Sequence, residues 1–175
     1  DDGTPLWKQD IPAFRGMNIL TPTVHENSVF TSSYGGKSFL FTPGKTGEQS
    51  APQETWTNRA QGYMSSPLII EDHIYLHLRN QRLTCIDFKT GETRWTTTPY
   101  GKYWSMVTDG KKILALDQTG DLLLIQANPQ KFELLDRRKV AEDSWAHIAV
   151  SGNEIFIRAL DHLAVYRWKT SETGN

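Results

Sequence analysis

Only one cysteine, Cys85, occurs in the 175 residues, so no disulfide can form within the chain and cysteine spacing supports neither metal nor redox chemistry. An excess of one charge sign is also lacking. Nineteen basic against twenty acidic residues leave a net charge of -1, which excludes the basic field that nucleic acid or an anionic membrane would attract. No apolar run approaches the about 18 residues of a membrane-spanning helix. No signal peptide opens the chain, although a mature exported domain would read the same way. Helical patterning is scarce too: the strongest helix-like stretch, 128–135, holds Pro129 and is too short to matter. What remains is an ordinary globular composition, 38% hydrophobic and 22% charged, and the expectation of an all-β protein.

Short runs rich in β-branched and aromatic residues, separated by polar turns, recur along the chain. First strands contain Pro22, Pro67, Met106 and His147, spaced by 45, 39 and 41 residues. That is the period of a four-stranded propeller blade. The predicted architecture is therefore a β-propeller of four-stranded antiparallel blades forming a single domain over 1–175. Its approximate blades are 18–60, 61–101, 102–143 and 144–170. The last repeat stops after its third strand, while residues 4–11, with Trp7, read as an orphan fourth strand of that blade or of a preceding one. The pattern fits either a small closed ring or half of a seven- or eight-bladed one.

The clearest copy of the repeat runs Cys-Ile-Asp-Phe-Lys-Thr-Gly-Glu-Thr-Arg-Trp from Cys85 to Trp95. Gly91 suits the positive φ of a tight turn, Thr90 can bond locally, and Trp95 offers a flat apolar plate to the next blade. Burying such a ring is worth about 2–3 kcal/mol, so Trp7, Trp56 and Trp95 read as staples between blades. Copies elsewhere are degraded. Thr46-Gly47-Glu48 keeps the turn before Trp56, whereas Ala127-Asn128-Pro129-Gln130 replaces it in the third repeat and Leu134 stands for the tryptophan.

Asp87, Thr90, Gly91, Glu92 and Trp95 match the tryptophan-docking motif, and the chain resembles the pyrroloquinoline-quinone-like β-propeller repeat family, which includes quinoproteins and outer-membrane assembly lipoproteins. The resemblance implies a periplasmic or extracytoplasmic protein. Its enzymatic members imply pyrroloquinoline quinone with calcium and an adjacent-cysteine disulfide, which a single cysteine cannot supply. No cofactor and no metal are expected here, and a quinone-dependent dehydrogenase is the alternative.

Other chemistry is weakly signalled. His73 and His77 are four apart, but on a strand that spacing only places both on one face. Asp117–Asp121 reads as a hairpin turn lacking the later glutamate of a calcium loop. No serine sits on a strand-to-helix elbow. In a propeller, the turns entering the first strand and joining the second to the third share one face, around the channel mouth. They bring Tyr63, Tyr103, Trp104, Trp145, Tyr34, Arg79, Arg158 and His162 together as a candidate rim. Aromatics and arginines are the usual anchors of peptide or protein partners, and they also suit stacking on carbohydrate. A non-catalytic binding scaffold follows, or a half-propeller that pairs with a second copy of itself into an eight-bladed ring.

Overall fold

A four-stranded blade stacked between two neighbours is buried on both faces of its middle strands, which should then read as continuous apolar runs. The computed structural model, which describes residues 2–44 and 51–169, shows this pattern. β1 (Thr23–His25), β2 (Ser28–Ser32), β3 (Ser38–Thr42) and β4 (Gln53–Asn58) form the first antiparallel sheet in chain order. β5 (Leu68–Ile70), β6 (His73–His77), β7 (Leu83–Asp87) and β8 (Thr93–Thr96) form the second. β9 (Ser105–Thr108), β10 (Lys112–Leu116), β11 (Asp121–Gln126) and β12 (Glu133–Lys139) form the third. The last has three strands: β13 (Ala149–Ser151), β14 (Glu154–Arg158) and β15 (Leu163–Arg167). β6 and β7 are almost wholly buried, while the outer β4, β8 and β12 are largely exposed.

The core lies between blades rather than within them. Phe30, Leu40, Ile74, Leu76, Ile86 and Phe88 join blades one and two. Tyr75, Cys85, Trp104, Met106, Ile113 and Ile125 join two and three. Leu116, Leu122, Ile148, Ile155, Ile157 and Ala159 join three and four. Among the described residues no such cluster joins blade four back to blade one. The far side of blade four is accordingly bare among the described residues: Leu163 and Val165 of β15 are exposed there, whereas Tyr166 faces blade three and donates to Val140 O at 3.0 Å.

Residues 4–11 form no strand in the structure. They run as exposed chain, and residues just beyond them are tied to the top of blade one, where Ser33 Oγ donates to Pro12 O at 2.6 Å and Phe14 N to Tyr34 O at 2.8 Å. Those bonds anchor the leading segment at blade one, and among the described residues β15 has no outer partner. Trp7 is therefore not a docked staple; it is 38% exposed.

Trp56 and Trp95 do dock. The Trp56 indole donates to Phe88 O at 2.9 Å and lies against Gly91, while Trp95 donates to Asn128 O at 2.9 Å. The turn that receives Trp56 is built by the motif itself. Asp87 Oδ1 accepts from Lys89 N at 3.0 Å and Thr90 N at 2.9 Å, Thr90 Oγ1 accepts from Glu92 N, and Gly91 sits at φ +73. These amide bonds, Thr90's first, hold the Asp87 carboxyl below its ordinary range. The motif thus serves two interfaces: its glycine receives the tryptophan of the preceding blade, and its own tryptophan goes to the next. The Thr46-Gly47-Glu48 turn lies outside the described residues.

In blade three the register corrects the sequence assignment. In the first two outer pairings a bulge residue, Thr55 or Arg94, immediately precedes the tryptophan, with Leu40 opposite Trp56 and Cys85 opposite Trp95. The same bulge in blade three puts Asp136, not Leu134, opposite Leu124. The bulge adds a residue that spacing alone does not count.

A Cβ at position 91 would sit 2.5 Å from the Trp56 ring. Gly91→Ala is therefore expected to cost about 2–4 kcal/mol, combining overpacking with a left-handed backbone. In a Trp56→Ala background only the backbone cost, about 1–2 kcal/mol, should remain. Urea unfolding of the four-member cycle checks this, and equal costs in both backgrounds would refute the dock.

Candidate functional site

Each blade contributes one aromatic side chain to the mouth face from a loop rather than a strand. Tyr34 lies between β2 and β3, Tyr63 precedes β5, Tyr103 precedes β9 and Trp145 precedes β13. They form one continuous row. Ring centroids are 4.8 Å apart for Tyr34–Tyr63, 6.0 Å for Tyr63–Tyr103 and 4.5 Å for Tyr103–Trp145, all tilted. Phe14, in a short 3-10 turn at Phe14–Gly16, extends the row at 5.9 Å from Tyr34. The Arg79 guanidinium lies 5.0 Å over the Tyr34 ring, a cation–π contact that holds its charge at the mouth.

Beneath the row is a cavity of about 270 Å³, lined by Tyr34, Tyr63, Tyr103, His77, Arg79 and Lys102 together with Met64, Ser65, Leu78 and Gln81. Two lining residues have left-handed backbones, Tyr103 at φ 53 and Gln81 at φ 68, each at a cost of about 1–2 kcal/mol that neighbouring contacts must offset. Gln81 is held by bonds to Leu78 O and from Tyr100 N. The lining carries two cations and no carboxylate. It therefore favours an acceptor-rich ligand, and it lacks the carboxylate oxygens that a calcium-bound quinone would need.

Of the sequence-predicted rim, the structure brings together Tyr34, Tyr63, Tyr103, Trp145 and Arg79. Trp104 is not on the rim. It is buried between blades two and three, stacked on His77 at 4.7 Å and 11°, with its indole donating to Tyr100 O at 3.1 Å. Trp104 directly precedes β9, whose first residues face the core, whereas Trp145 lies further from β13 and is 60% exposed. Arg158 and His162 sit at the β14–β15 turn, where Arg158 donates to Leu160 O and His162 pairs with Asp161 at 2.6 Å. No described aromatic or cation–π contact joins them to the row. Phe14 and Lys102 were missed by sequence reasoning. Lys102 flanks Tyr103 in the same turn, so the repeat could have found it; Phe14 lies before the first repeat and had no such signal.

Elsewhere, His25, Glu26 and Asp72 bring donor atoms within 4.8 Å of one another, but the Lys89 ammonium already bonds Asp72 at 2.6 Å and neutralises it. Asp117 Oδ1 accepts from Thr119 N and Asp121 N, which makes 117–121 a hairpin turn. Burial pushes the Cys85 thiol up to about 12, so it is a core side chain without nucleophilic character.

Radially stacked four-stranded blades stapled by docked tryptophans define the class: a β-propeller of pyrroloquinoline-quinone-like repeats. The chain belongs to the family of the outer membrane protein assembly factor BamB, whose model matches residues 1–97. Among solved structures it is similar to BamB from Moraxella catarrhalis, at 18% identity and a TM-score of 0.66, over 85% of this chain and 43% of that one. It spans less than half the length of that relative. The computationally designed Ika4 protein is similar at 9% identity and a TM-score of 0.63, over 95% of this chain and 99% of that one. The β-propeller domain of Cps50 (Swd1) from Myceliophteria thermophila is similar at 13% identity and 0.62, over 81% and 53%. At these identities the likeness concerns the fold. No curated protein sequence matches the chain.

His77 supplies a pH test of the cavity floor. Burial lowers its pKa from 6.5 to about 4, against backbone acceptors at Tyr100 and Gly101. The unfolded chain therefore binds a proton that the folded chain refuses between these values. Stability should be full above pH 6.5 and fall as pH drops toward 4, by about 2–3 kcal/mol near pH ~4.5. Urea midpoints of the parent and His77→Phe check this: the variant keeps the stack on Trp104 and should lose less stability in acid. Identical acid profiles would refute it.

Proposed function

We propose that the chain is a non-catalytic scaffold that binds a protein or peptide partner across the mouth face. The observation that carries this reading is the aromatic row from Phe14 to Trp145, continuous across the blades and flanked by Arg79 and Lys102. Rigid aromatic plates give contact area at little entropic cost, and paired cations without a carboxylate orient an extended segment rich in backbone or acidic acceptors. Membership in an assembly-factor family supports the same role and an extracytoplasmic setting. Among the described residues no helix is long and apolar enough to cross a membrane. The bare side of blade four, with Leu163 and Val165 exposed, favours a second reading in which two copies pair there; a 19.9 kDa species in solution would exclude it.

Panning a peptide display library on the immobilised chain should return binders whose affinity falls at least about tenfold in an Arg79→Ala/Trp145→Ala variant, because both side chains sit on the row. Its melting temperature should stay within a few degrees of the parent, since Trp145 is 60% exposed. Binders that ignore the double variant would move the partner surface elsewhere. An oligosaccharide whose binding is lost in that variant, with no peptide captured, would replace the peptide by a sugar.

A further inference from the structure

Among the described residues, the tryptophan dock that closes the first two blade interfaces holds no indole in the third. In the first, Trp56 packs 6.0 Å from Phe30 and beside Ile69, with its N–H on Phe88 O. In the second, Trp95 packs 6.0 Å from Tyr75 with its N–H on Asn128 O. Strand register carries each of these positions into the third interface. Phe30 and Tyr75 correspond to Leu114, Leu40 and Cys85 to Leu124, Ile69 to Val150, and Phe88 to Trp168. The receiving backbone is preserved as well: Phe88 N donates to Asp72 O at 2.9 Å, and Trp168 N donates to Asn153 O at 2.7 Å. What differs is the plug. Asp136 occupies the tryptophan position, is exposed, and pairs with Arg138 at 2.8 Å instead of reaching inward.

The result is a cavity of about 320 Å³ walled by Val107, Leu114, Leu124, Val150, Ile155 and Trp168. The buried cluster that joins blades three and four contains no aromatic ring, unlike the other two. Its walls are therefore those of a site made for an indole that the chain does not provide there. Lys112, Asp109 and Asn153 give the cavity a polar lip.

We infer that this vacated dock is a binding site for an indole group, supplied as a tryptophan side chain on an extended segment of a partner polypeptide. Both filled docks take their indole from an extended strand, with the ring packed at a tilt among apolar side chains and the N–H turned to a main-chain carbonyl. Trp168 O is the carbonyl that matches Phe88 O of the first dock. The site stands apart from the mouth face, so its fate is independent of the function proposed above.

The test uses the whole chain, a capped tetrapeptide containing one tryptophan, its alanine counterpart, and free indole, followed by ligand-observed NMR and calorimetry. The tryptophan peptide should bind saturably in the sub-millimolar range, the alanine peptide should not, and indole should compete. Asp136→Trp restores the missing plug in cis. It should raise the melting temperature and abolish peptide binding. If that variant fails to fold, Val150→Glu, at a half-exposed wall position, should weaken binding at least about tenfold by charging the cavity. Absence of tryptophan-dependent binding, binding of free indole alone, or peptide binding that survives the substitutions would overturn the inference.

Discussion

Everything in this fold depends on an apolar blade face finding another blade. A sheet of four short strands cannot bury both of its faces alone, so stability resides at the interfaces and behaves as a sum of nearest-neighbour terms. One such contact is the indole of Trp56 laid on the bare backbone of Gly91, with its N–H on Phe88 O. That contact is two-sided. It needs a glycine because a Cβ would enter the ring, and it needs the Asp87 carboxylate to fold the turn that presents the glycine. One turn thereby fixes the separation and the orientation of two sheets.

Once the blades are stacked, the loops of one end have no choice but to converge. Each blade then sends an aromatic into the same narrow space, and rings at 4.5–6.0 Å become a continuous row without any contact having been specified between distant sequence positions. The row tolerates left-handed backbone at Tyr103 and Gln81, where the surrounding interfaces are firm enough to hold it. Arg79 and Lys102 set the electrostatic character, because no carboxylate on that lining answers them. Binding capacity is in this sense a by-product of the packing constraint, refined by loop chemistry.

Much of the fold was legible because a repeat repeats its physics. Turn residues, strand lengths and the Asp87–Trp95 phrase each announce one unit, and four units announce the architecture. The rim was legible only in part. Trp104 and Trp145 look alike in sequence, yet the first directly precedes β9 and turns inward, while the second lies in the loop and stays out. Trp7 carried the right side chain but lay on a segment that forms no strand and that hydrogen bonds around Pro12 and Phe14 tie to blade one. Asp136 was hidden by a bulge, a one-residue insertion that moves a side chain to the other face without changing the composition around it.

The blades are unequal, and the inequality follows their order. The first two interfaces contain docked indoles, the third relies on aliphatic contacts, and on the far side of blade four Leu163 and Val165 of β15 stay exposed among the described residues. In a stack held by neighbour terms, local opening concentrates where the terms are weakest, so the blade-four end should exchange its amides before the blade-one end does. The row at the mouth crosses this gradient, with Tyr34 and Tyr63 on the firm side and Trp145 on the loose one. A partner engaging the whole row would couple the two sides, adding at the mouth the connection between blades three and four that the missing tryptophan withholds at the outer edge.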